Sequence, residues 1–340
     1  MSTTMYSRHD SGFSLVELLV AMTIMLLISG AAVTALLKMT STQATIWNRT
    51  QMHSGIRGAT EVLQQEVGQA GRITLGGAAV NTNGNSVACA TAGCTTTLVV
   101  SSTAGMFVGE RLVVDTNPNQ ETVRITAIGS ATQLTVASTA ATGKVLYPHN
   151  NNVPVQVLGA FSAGVVPPDT SPSAYAPSGP TMTYLNGSTG DTLKLFGDIN
   201  ADGNMVYIEY KCEIPASPST APGNLTRNVM PWNQTTASAA STPSQILLSN
   251  ITRNPDGSPC FTYQMNRVDT TYFVTDVAIT LTVQTQLVDP VTKRFQTETK
   301  ALLNVSPRNT YNAWQMASLG MSSRIQPMPP SITALLPPLP

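Results

Sequence analysis

Between Gly12 and Lys38 the chain runs for 25 residues, Phe13 to Leu37, with one charged side chain, Glu17. A helix needs about 20 mostly apolar residues to cross the hydrocarbon core of a bilayer, so this run is long enough to span. It is too long for a cleaved secretory core of about 7–15 residues, although Ser29-Gly30-Ala31-Ala32 imitates a small-residue cleavage site. An uncleaved anchor would account for the hydropathy and leave the carboxylate unexplained. A charge within a span costs roughly 2.5–3.5 kcal/mol at the helix centre, and such residues pair with an opposite charge. Glu17 therefore asks for a partner's cation, and the segment reads as an assembly element as well as an anchor.

The rest of the chain reads as an exported head. Charged residues are 11% and aromatics 6% of 340 residues, with many Thr, Ser, Asn and Gly. That composition suits a β-rich exported protein with many turns and argues against a cytosolic enzyme. Net charge is zero and the pI is near 6.8, so no basic face is implied and no nucleic-acid partner is expected. The four cysteines, Cys89, Cys94, Cys212 and Cys260, are an even set that reads as disulfides, with three connectivities open. Cys89 and Cys94 bracket a small loop and would close it locally. Cys212 ends one strand-like run and Cys260 begins another, so a bridge between neighbouring strands is plausible. Zinc is the competing reading, but there is no CxxC spacing, and His9, His53 and His149 do not cluster with the cysteines.

No Pro occurs between Met1 and Pro118. Past Leu37 the apolar positions Ile56, Ala59, Leu63, Val67 and Ala70 recur at spacings of three and four, while Glu61, Gln64, Gln65 and Gln69 take the other sides. The spacing predicts one helix over 13–71 ending at Gly71, with 13–37 as the membrane or filament-core half. Beyond Ile73 short β-branched runs alternate with Gly, Asn, Ser and Pro clusters. They predict strands near 96–101, 111–115, 121–128, 133–137, 153–158, 192–196, 205–212, 245–251, 261–265, 276–288 and 295–305. In the last hairpin Val277, Ile279, Leu281 and Val283 form one apolar face. The fold class is α+β: a long N-terminal helix packed on an antiparallel β-sheet head (72–326), with a small all-β module inserted at about 104–158. Residues 167–181 and 215–243 read as exposed loops, and 327–340, with six prolines, as a loose tail.

The stretch Gly12-Phe13-Ser14-Leu15-Val16-Glu17-Leu18-Leu19-Val20 resembles, without a gap, the N-terminus of type IV pilin-like proteins. The resemblance implies a leader, residues 1–12, cut after Gly12 by a prepilin peptidase that methylates the amino group of Phe13, with the apolar segment retained. It implies that Glu17, fifth in the processed chain, pairs with the free amino terminus of a neighbouring subunit. It implies as partners other pilins, met through the N-terminal helix, the peptidase and an inner-membrane assembly platform. The location implied is a single pass in the inner membrane with the head outside the cytoplasm, then a filament. The leader is less basic than is usual, with Arg8 as its firm positive charge beside His9 and Asp10. Leu63 to Ile73 is similar to a local pattern of W-like minor pilins and of the J-type minor pseudopilin of type II secretion. The expectation is a minor pilin acting in assembly or priming, near the tip because its head is large. The alternatives are a type II secretion minor pseudopilin and a membrane-anchored adhesin or binding protein using Trp232 and Trp314.

One further motif carries chemistry. Asp198, Asn200, Asp202, Asn204 and Glu209 match the spacing D-x-[DN]-x-[DN]-G-x5-E, with Gly203 permitting the sharp turn, so Ca2+ is the candidate ligand. The flanks read as strands rather than helices, and an Asp/Asn/Gly turn needs no ion. There is no HExxH, no GxSxG and no phosphate-binding glycine loop, so no catalytic set is expected.

Overall fold

The computed structural model describes residues 14–76, 79–89, 91–139, 147–168, 187–215, 221–233, 244–269 and 271–333. The chain divides into two compact units, one holding Met1–Met52 with Thr285–Gln296, the other His53–Gln284 with Thr297–Pro340.

Helix α1 (Leu15–Gln69) is a single element of 55 residues. Without a proline to break the backbone ladder, it runs unbroken through stretches of very different burial. In the first unit the apolar side chains from Leu15 to Leu37 are exposed. In the second, Ile56, Ala59, Leu63, Val67 and Ala70 are all buried, as their spacing requires. Gly71 ends the helix in the left-handed region (φ 82°). Its amide donates to the Phe196 carbonyl (2.8 Å) and its carbonyl accepts from the Phe161 amide (3.0 Å). A Cβ there would lie 2.7 Å from the Thr310 Oγ1. Gly71→Ala is expected to destabilise the head by about 1–2 kcal/mol from the backbone alone; an unchanged thermal unfolding curve would contradict this.

Six strands follow, β1 (Val80–Asn81), β2 (Thr95–Val99), β3 (Arg111–Val114), β4 (Glu121–Ser130), β5 (Gln133–Ser138) and β6 (Pro154–Val157). They form one antiparallel sheet in the order β1-β6-β3-β4-β5-β2. A bridge between Thr82 and Val100 joins its two outer strands, so the sheet curls until its edges meet. Leu98, Val100, Leu112, Val114, Ile125, Leu134 and Val136 fill the interior. This module was expected to begin near residue 104, yet β1 and β2 bring in residues from Val80 onward. The strand expected near 96–101 is β2, but its pairing with β5 is not legible in the chain, and β1 has only two residues.

After β7 (Ala160–Phe161) comes a seven-stranded antiparallel sheet: β8 (Thr192–Gly197), β9 (Val206–Cys212), β10 (Gly223–Pro231), β11 (Gln245–Thr252), β12 (Phe261–Val268), β13 (Thr271–Gln284) and β14 (Thr297–Val305). Its path is β12-β13-β11-β10-β9-β8, with β14 also on β13. Val277, Ile279, Leu281 and Val283 all face the core. This is the expected α+β architecture, a long helix followed by curled antiparallel sheets.

Four expectations need correction. Residues 215–243 were read as loop, but Gly223–Pro231 forms β10 between β9 and β11. The head over 72–326 is expected as β-sheet, but it also holds α2 (Arg308–Ser318), which packs Ala313 and Ala317 against Phe273. The tail is not wholly loose: after β15 (Ile325–Gln326), which pairs with β7, helix α3 (Pro330–Thr333) buries Ile332. Finally, Cys212 and Cys260 are bonded, but not between neighbouring strands. The bridge draws the β12 edge to the β8 side, where the Phe261 amide donates to the Gly190 carbonyl (2.8 Å). Cys89 and Cys94 form the second disulfide.

Candidate functional site

Glu17 lies in the first turn of α1, where an acid is favoured by the helix dipole. Its carboxylate accepts a hydrogen bond from the Ser14 amide (3.1 Å). Around it Val16, Leu18, Leu19 and Val20 are exposed. Among the described residues, no cation lies within ion-pairing distance of Glu17. The apolar run that contains it is 0% buried within the structure and is long and apolar enough to cross a membrane. An apolar helix face with nothing of its own chain upon it must meet lipid or another protein. Gly12 and Phe13, the processing pair, lie outside the described residues.

The acidic calcium candidates, Asp198, Asp202 and Glu209, do not gather into one group among the described residues. The Asp198 carboxylate is fully buried; it accepts hydrogen bonds from the Asp202 amide (3.1 Å) and the Thr74 hydroxyl (3.2 Å) and lies 3.5 Å from the Arg72 Nε. Asn200, Asp202 and Asn204 are exposed, with Asp202 accepting from the Asn204 amide (2.9 Å). Glu209, on β9, accepts from the Tyr207 hydroxyl (2.8 Å) and faces Lys194 at 3.8 Å. Among the described residues no three His, Cys, Asp or Glu side chains gather as a metal-binding group. His53 pairs with Glu298, while buried His149 sits between Glu121 (2.7 Å) and Asp115 (3.2 Å). Trp232 and Trp314 are half-buried packing residues, the first against Phe107 (5.9 Å) and the second against Tyr311 (5.2 Å).

A family model for the prokaryotic N-terminal methylation motif matches residues 7–33. That motif, with the long N-terminal apolar helix, fits a type IV pilin-like protein. No curated protein and no solved structure matches it. The motif and the uncovered apolar helix together make this a membrane-anchored, single-pass protein with an exported head. The pilin-type motif belongs to structural subunits rather than to enzymes.

Two features of this pilin-like chain escaped the sequence. The first is a buried charge network. Glu66 on α1 receives Arg227 of β10 through Nη2 (2.6 Å) and Nε (3.2 Å), and also the Tyr210 hydroxyl of β9. Burial opposes the charge on Arg227, but Glu66 outweighs it and its pKa is raised. Burial, with Glu66 beside it, pushes the Tyr210 phenol up too. The second is Asp289 in the β13–β14 loop, 3% exposed, accepting from the Val291 amide (2.8 Å), the Thr45 hydroxyl (2.8 Å) and Gln296. The Val291 amide, aided by Thr45 and Thr292, holds its carboxyl down at about 2. Polar groups thus tie this loop to α1 within the first unit.

Proposed function

We propose that the chain is a minor pilin, held in the inner membrane by α1 and then drawn into a type IV pilus, where it serves assembly near the tip. The observation that carries this is Glu17: one carboxylate in an uncovered apolar helix, with no cation of the described chain beside it. In a filament it pairs with the liberated amino group of a neighbour's Phe13, which neutralises two charges that would each be costly to bury alone. A subunit out of register would bury an unmatched charge, so the pair also sets axial position. The size of the head, with its curled module and seven-stranded sheet, supports a low-copy place over a densely packed one.

Glu17→Ala is expected to leave membrane insertion intact and to lower recovery in sheared filaments about tenfold or more, since an unpaired buried charge costs several kcal/mol. Equal recovery would refute the pairing. Intact-mass analysis of the membrane form should find a chain beginning at N-methylated Phe13. An untrimmed chain, or one that lacks the apolar segment, would refute the processing on which the pairing depends.

A further inference from the structure

The β13–β14 loop, Thr285–Gln296, is inside out. Much of its hydrogen bonding is turned inward: the Thr285 amide donates to the Gln296 carbonyl (2.8 Å), the Lys293 amide to the Asp289 carbonyl (2.8 Å), and Asp289 meets Thr45 of α1. Its apolar groups are turned outward: Leu287 is 63% exposed, Val291 63%, Phe295 47% and Val288 44%. On the adjoining part of α1, Ile46 and Trp47 are exposed as well. Scattered surface apolar residues need no explanation, but a patch held outward by a bonded polar interior marks a contact.

The charges around this patch say what it meets. Among the described residues of the first unit beyond Glu17, the charged side chains are Lys38, Arg49, Lys293, Arg294 and Asp289. The four cations are exposed and the one acid is buried. A self-matching contact with a second copy would set these cations against one another. An anionic surface would not.

The position agrees. Asp289 meets Thr45 and Gln296 meets Arg49, one helical turn further on, so the loop's tip points back along α1 toward Lys38. Thr45 is eight residues past Leu37, roughly 12 Å along the helix. The headgroup layer begins where the apolar run ends, and long basic side chains reach several ångströms toward it. Exposed tryptophan beside aliphatic residues and lysine or arginine is the composition that membrane interfaces favour.

We propose that this loop, with Trp47 and Ile46, is a membrane foot: it rests on the anionic headgroups of the leaflet from which α1 emerges, fixing the chain's depth and rotation before assembly. The inference rests on α1 spanning the bilayer. The loop is released when the subunit leaves the membrane, because the contact is with lipid and not with the chain's own residues.

The test uses the full chain reconstituted in vesicles of phosphatidylcholine and phosphatidylglycerol, with the photo-reactive residue benzoylphenylalanine placed in turn at Val291, at Met25 in the span and at Asp256, an exposed turn of the head. Phospholipid adducts are expected at Met25 and Val291 but not at Asp256. Lys293→Glu with Arg294→Glu should lower the yield at Val291 about tenfold, by the attraction lost between cations and anionic lipid, and leave that at Met25 unchanged. Adducts at Met25 with only background at Val291 would overturn the foot and leave the spanning reading intact. So would a Val291 product with the mass of two chains. Loss of lipid adducts at Met25 would overturn the spanning reading, and the foot with it.

Discussion

Glu66→Ala is expected to lower the stability of the head by ~3–5 kcal/mol, the cost of removing one partner from a buried ion pair. For a unit of this size that is a fall of roughly 10 °C or more in unfolding temperature. The geometry supports the upper half of that range. The Glu66 and Arg227 side chains are 11% and 13% exposed, and the contact is bidentate, with the Tyr210 hydroxyl on the same carboxylate. Alanine strands a guanidinium in the middle of the sheet and leaves a buried phenol without its acceptor. The penalty is thus mainly desolvation left uncompensated, rather than the net worth of the pair. Replacing both partners at once, Glu66→Gln with Arg227→Met, should restore much of the loss. Calorimetry of the whole chain in detergent reads both results. A single variant that unfolds like the parent would show that α1 needs no polar tie to β9 and β10.

The same network explains why parts of this fold were legible in the sequence and others were not. The span, the helix face from Ile56 to Ala70 and the β13 alternation were all visible, because each depends on apolar periodicity within one element. Strand β10 was invisible for the opposite reason. Its sequence, Gly223 to Pro231, carries Asn224, Arg227 and Asn228, and Arg227 is tolerable at its central position only because Glu66, 161 residues away, neutralises it. No local pattern encodes that pairing. Helix α2 buries the small side chains Thr310, Ala313 and Ala317, which make no apolar stripe in the sequence, and it follows directly on Pro307. That proline occupies the N-cap, where its missing amide removes no helical hydrogen bond. At the candidate site, Glu17 stands out in the sequence because an acid in an apolar run is conspicuous. The calcium spacing was also conspicuous, yet Asp198 turned inward to Arg72 and Thr74, and Glu209 to Tyr207. Side-chain direction at a turn is decided by the neighbours across it. In sequence Leu287 reads as the end of the strand 276–288 and Val291 as hairpin tip; that β13 stops at Gln284 and turns both outward shows only once Asp289 is seen to be buried.

Raising the pH from about 5 to about 8.5 is expected to destabilise the curled module by roughly 3 kcal/mol, through Glu110. Its side chain is fully buried, one carboxylate oxygen accepts from the Phe107 amide (3.1 Å), and the other has no partner among the described residues. Burial pushes its pKa up from 4.5 to about 8, against the smaller opposing pull of the Phe107 amide. An acid whose folded pKa is raised stays protonated in the native chain while the unfolded chain ionises. Its contribution is therefore intact below about 4.5 and is lost as the pH climbs toward about 8. His149 acts in the same direction. Burial opposes its charge, but Glu121 and Asp115 outweigh that and raise its pKa, so the stability it adds is present below the ordinary histidine range and fades as the pH passes through the raised value. The module should accordingly be most stable in mild acid. Glu110→Gln removes the ionisable group at nearly constant shape, so it should flatten the profile and raise the unfolding temperature at pH 8.5 more than at pH 5. The smaller fall that remains across the neutral range belongs to His149. If parent and variant unfold along parallel curves from pH 5 to 8.5, Glu110 is not titrating in the folded chain, and the buried oxygen must have found a partner that keeps it charged at neutral pH.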